Sequence, residues 1–166
     1  MERPLTVFEL HSSFSYAGGG QRALVTFAKY MDKALFRPVC IAYGEDGPQR
    51  QALETFGIEA LFAPSAQDIL QLISERKPVI LHIHRSGGPV LIETEIILGA
   101  KRLDPDIVVI EKNVFGLYDP STEDVIDCSL FQSMMHIHER YLPASGKRFD
   151  FGSMKVFHNP VDADYL

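Results

Sequence analysis

Pro78-Val79-Ile80-Leu81-His82-Ile83-His84-Arg85-Ser86-Gly87-Gly88-Pro89 holds the decisive local pattern of this chain. A short, β-branched apolar run follows one proline and ends in a glycine pair and a second proline. That is the signature of a buried strand, Val79–His84, leaving its sheet through a turn. Beyond it Ile92, Ile96, Gly99 and Leu103 recur on one helical face until Pro105 stops the pattern. A strand, a glycine turn and a helix make half of a βαβ unit.

The same unit repeats on either side. Leu5–Leu10, Pro38–Tyr43, Ile58–Phe62 and Asp106–Glu111 read as strands, most of them nearly continuous apolar runs, as strands covered on both faces are. Between them lie helical stretches. Leu24, Phe27, Ala28, Met31 and Leu35 form one stripe. Gly47-Pro48 opens a helix that Gly57 closes, and Ser65-Ala-Gln-Asp68 has the form of an N-cap with a carboxylate in the first turn. After Glu111 come a loop, Lys112–Pro120, a strand, Val125–Phe131, a short helix, Met134–Tyr141, and a last strand, Lys155–His158. Strands alternating with helices over short connections predict an α/β fold: a three-layer α/β/α sandwich, Rossmann-like, with a mostly parallel sheet. The 166 residues suit a single domain of this kind.

Composition narrows the function classes. Apolar residues make up 46% and charged residues 23%, ordinary values for a soluble globular protein. The net charge of −6 argues against binding along nucleic acid, which requires a basic face. The N-terminus lacks the basic start and long apolar stretch of a signal peptide, and no run approaches the length of a membrane span. Cys40 and Cys128 lie in separate apolar runs and read as reduced core residues, so a cytoplasmic location is expected.

Four constellations offer chemistry. Gly18-Gly19-Gly20-Gln21 precedes the first helix, where glycines admit close approach of a ligand and the helix N-terminus presents unpaired N–H groups. The spacing matches neither a dinucleotide fingerprint nor a P-loop. The candidates are a phosphate or sugar site and a flexible turn. His82 and His84, two apart on a strand, share one face. No third ligand is recognisable from spacing, so no metal is expected. His84, at the strand exit, is the candidate to touch substrate, with Arg85 beside it; the competing reading is one buried, hydrogen-bonded histidine and one that merely sits at the strand's exit. His136 and His138 lie two apart on a helix and diverge. Asn113, in the loop after the fifth strand, is a candidate for the substrate-facing rim, against a solvated turn.

Taken in order, these motifs resemble the N-terminal domain of family 4 retaining glycosyltransferases with the GT-B fold. Gly19-Gly20-Gln21-Arg22 corresponds to that family's Gly-Gly-x-(Glu/Gln)-Arg, His82 and His84 to its His-x-His, and Asn159-Pro160-Val161-Asp162 to its Asn-Gly-Val-Asp. Asn113 stands where the family often has a histidine, and Pro160 where it has glycine. The resemblance implies an acceptor-side domain spanning residues 1–166, with the donor-binding domain expected beyond Leu166. It further implies a nucleotide-sugar donor held mainly by that second domain, a glycan or lipid-linked acceptor and no cofactor; peripheral membrane contact is compatible with it. Gly18, Gly19, Gly20 and Gln21 would face the donor phosphates, and His84, Arg85 and Asn113 the substrate. The catalytic residues are not identified. A non-catalytic nucleotide- or sugar-binding domain of the same topology is the alternative, and an oxidoreductase lacks its fingerprint.

Overall fold

A computed structural model describes residues 3–15 and 18–160. Seven strands form one parallel sheet: β1 Leu5–Ser13, β2 Phe36–Glu45, β3 Glu59–Phe62, β4 Ile80–Arg85, β5 Val108–Asn113, β6 Cys128–Phe131 and β7 Met154–Val156. Their spatial order is β3-β2-β1-β4-β5-β6-β7, and every pairing is parallel. The order reverses between β1 and β4, so the chain leaves these two neighbours in opposite directions and opens a crevice at their carboxyl ends.

Helices α1 (Gly19–Tyr30) and α2 (Pro48–Thr55) cover one face, where Leu24, Ala28 and Leu53 pack on Cys40, Ala42 and Ala60. Helices α3 (Ala66–Arg76) and α4 (Leu91–Leu103) cover the other, where Ile69, Ile73, Ile96 and Ile97 pack on Phe8, Ile41, Leu81, Ile83 and Val109. The chain is a three-layer α/β/α sandwich of Rossmann-like topology. Local sequence explains the helix limits. Ser65 and Asp68 close a capping box at the start of α3, and Lys77 ends that helix in the left-handed region just before Pro78. Pro48 occupies the first turn of α2.

Several boundaries differ from the sequence reading. Met31 and Leu35 fall outside α1, which ends at Tyr30. The fifth strand runs two residues past Glu111, to Asn113. The sixth begins at Cys128 rather than Val125, because Glu123–Val125 closes into a 3-10 turn; the Asp127 carboxylate then accepts from the backbone N–H of Val109 (2.7 Å) and from Lys101 (2.8 Å). The late helix is a π-helical turn, His136–Tyr141, running into the short α5, Leu142–Ser145. Of the closing motif, Asn159 and Pro160 are described; Val161 and Asp162 lie outside the described residues. No helix is long and apolar enough to cross a membrane, as judged over the described residues.

Candidate functional site

Alternation along β1 sends Phe8 and Leu10 into the α3–α4 face, and therefore Glu9 and His11 toward α1. Register does the rest: Glu9 stands opposite His82, and His11 opposite His84. At the exit of β1 the Ser13 backbone N–H donates to His11 Nδ1 (3.1 Å). This bond leaves the ring proton on Nε2, and burial lowers the His11 pKa, which favours that neutral form. Nε2 lies directly beneath the glycine loop, 2.7 Å from where a β-carbon on Gly20 would stand. Gly18 caps α1 with φ of 126°, a conformation suited to glycine, and no side chain caps the helix start or places an acid in its first turn. The Gln21 carboxamide folds back toward Gly18. Gly18 and Gly19 are exposed, and Gly20 and Gln21 half-buried. The result, among the described residues, is a helix N-terminus without a side-chain cap and with one imidazole N–H beneath it, which is chemistry for an anionic or hydroxyl oxygen.

Below it, Glu9 Oε2 receives both histidines of the fourth strand, with His82 Nδ1 at 2.9 Å and His84 Nε2 at 3.1 Å. All three side chains are buried. Burial opposes the Glu9 charge, but the two imidazoles outweigh it and hold the carboxyl at about 2. Burial, reinforced by His82, brings His84 down to about 4. Phe27 of α1 lays its ring edge over both histidines, at centroid distances of 5.6 and 5.8 Å. The sequence reading found no third group converging on His82 and His84. Glu9 is that group, brought in by the β1–β4 pairing. Its signal in the sequence is a carboxylate inside the apolar run Val7-Phe8-Glu9-Leu10.

Arg85, next along β4, faces the opposite side of the sheet. Its guanidinium lies 2.8 Å from Asp119, 3.3 Å from Glu93 and 3.7 Å from Glu111, and donates to the Gly88 carbonyl at 2.9 Å. Asn113 is wholly buried there, accepting from the Gly116 N–H and donating to the Leu117 carbonyl, both at 2.8 Å. Burial raises Glu93 and Glu111, whereas the bond from Arg85 holds Asp119 low against its own desolvation. A small polar cavity opens beside this network, lined by Glu111, Asp119, Ser129 and Tyr141 among others. Of the residues read as substrate-facing, His84 lies in ring contact with His11 (6.1 Å) on the glycine-loop side, while Arg85 and Asn113 have protein partners on the other face. His136 is half-buried and His138 exposed, and neither joins these clusters.

The segment after β7 returns across the sheet. Phe157 stacks on Phe27 (5.1 Å), its carbonyl accepts from the buried Lys112 ammonium, and Asn159 comes close to Gly19. Burial lowers Lys112 to about 8.

No family model matches this chain, and no curated protein matches its sequence. Solved structures do. A glycosyltransferase from Rickettsia africae ESF-5 superposes with a TM-score of 0.69 at 16% identity, over 99% of this chain and 45% of that one. The chain thus shares the fold of part of a glycosyltransferase. It spans less than half of that neighbour's length. A carbon-sulfur lyase involved in aluminum resistance, from Clostridium novyi NT, aligns over 77% of this chain and 30% of that one at 18% identity, with a TM-score of 0.42, too low to bear on the fold.

Proposed function

We propose that the protein is the acceptor-side domain of a retaining GT-B glycosyltransferase, acting in sugar transfer from a nucleotide-sugar donor to a hydroxyl of a glycan or lipid-linked acceptor. The observation that carries this is the pairing of the glycine-started N-terminus of α1 with the His11 Nε2–H beneath it, at the β1–β4 switch point. Negative charge builds on the diphosphate as the sugar departs. Fixed N–H donors directed at that charge stabilise the transition state more than the bound donor, and so act on turnover. Gly18–Gln21 supply the backbone donors and His11 a neutral side-chain donor.

The approach of Asn159 to Gly19 supports a second element of the proposal. The closing strand delivers the chain beside the phosphate site, where a second domain carrying the nucleotide would face it. The share of the Rickettsia protein left unmatched agrees in size with such a domain. The natural reading frame is accordingly expected to run on past Leu166 by roughly 150 to 200 residues. Sequencing the parent gene tests this: a frame that stops at Leu166 removes the donor domain and with it the proposal.

A further inference from the structure

We propose that Glu9, His82 and His84 form a zinc site that ties β1 to β4 beneath helix α1. One carboxylate oxygen and two imidazole nitrogens, all on buried side chains, lie mutually within 4.8 Å. Zinc takes imidazole nitrogen at roughly 2.0–2.1 Å and carboxylate oxygen at roughly 2.0–2.2 Å, so two corners of its tetrahedron stand about 3.3 Å apart. The observed separations from Glu9 Oε2, 2.9 Å to His82 Nδ1 and 3.1 Å to His84 Nε2, lie within a few tenths of an ångström of that edge, and the imidazole nitrogens lie within 4.8 Å of each other.

The backbone prepares this convergence. A His-x-His on one strand directs both rings to one face, and the parallel register sets Glu9 opposite the first of them. The ring centres of His82 and His84 are 4.5 Å apart. Two imidazoles and one carboxylate bring a single negative charge, which a divalent ion more than balances. Without an ion, one oxygen atom serves both rings; in the zinc form each ring has its own bond to the metal, and the far nitrogens, His82 Nε2 and His84 Nδ1, carry the protons. With three protein ligands, water would complete the tetrahedron, and Phe27, which covers both rings, favours a redox-inert ion over one that must admit oxygen and a co-substrate.

The test uses untagged protein, freed of metal with a chelator and dialysed against micromolar zinc(II). One zinc per chain is expected, with a rise in melting temperature on loading. Glu9→Gln and His82→Ala should each weaken zinc binding by about 100-fold or more. X-ray absorption on the wild-type zinc form gives an answer even if the variants fail to fold: it should show two imidazoles and a carboxylate oxygen in the shell. No retained zinc, retention unchanged in folded variants, or a shell without two imidazoles would each overturn the site.

Discussion

Gly87 and Asn113 are packed so that no β-carbon fits between them: one added at Gly87 would overlap the Asn113 carboxamide. Gly87 also has φ of 92°, in the region that side-chain-bearing residues avoid. The turn after β4 and the turn after β5 are thus locked together through one amide. Gly87→Ala combines backbone strain with displacement of Asn113 from its bonds to Gly116 and Leu117. A loss of about 2–4 kcal/mol is expected in urea unfolding. A cost below about 1 kcal/mol would show that the two turns are not coupled in this way.

Arg85 sets its single positive charge among three buried carboxylates, Glu93, Glu111 and Asp119. Arg85→Met leaves them uncompensated and should destabilise the fold by about 3–5 kcal/mol at pH 7. The loss should shrink on acidification. Glu93 and Glu111 already have raised pKa values, so their protonated forms favour the folded state at low pH, and that stability is lost as pH rises. Urea unfolding of wild type and variant at pH 7 and pH 5 checks the sign. A wild-type-minus-variant difference larger at pH 5 than at pH 7 would contradict the assignment.

His84 titrates in the opposite sense. Its pKa falls from an unperturbed 6.5 to about 4 on folding, so the unfolded chain binds the proton more tightly between these values. Its contribution to stability is complete above pH 6.5 and is lost as pH falls toward 4, by on the order of 3 kcal/mol. His84→Gln removes this group. In metal-free protein the stability difference between wild type and variant should therefore narrow by about that amount from pH 7 to pH 4. A difference that stays constant with pH would mean that His84 is not held neutral by burial.

The layered fold was legible because each strand and each helix carries its own local pattern, from the β-branched run Val79–His84 to the capping box at Ser65 and Asp68. The place of the glycines was legible for a similar reason, since it depends only on following one strand and starting one helix. Glu9 was not, because it meets His84 across 75 positions of sequence and only the β1–β4 adjacency joins them. Asn113 looked like a loop residue because the apolar run stops before it. The strand continues through Glu111, Lys112 and Asn113 on polar side chains whose partners come from other segments: Ser129, Phe157 and Leu117. Alternation does put Arg85 on the face opposite His84, but nothing local announces the carboxylates that wait for it there.

The central claim is that the start of α1 and His11 together hold the phosphates of a nucleotide whose base and sugar belong to another domain. Titration of ¹⁵N-labelled protein, residues 1–166, with UDP and GDP, followed by NMR, tests it most directly. Millimolar binding, worth about 4 kcal/mol, is expected, with shifts at the backbone amides of Gly19, Gly20 and Gln21 and at the His11 ring. Micromolar affinity, or glycine-loop amides and a His11 ring that stay unmoved up to millimolar ligand, would contradict it.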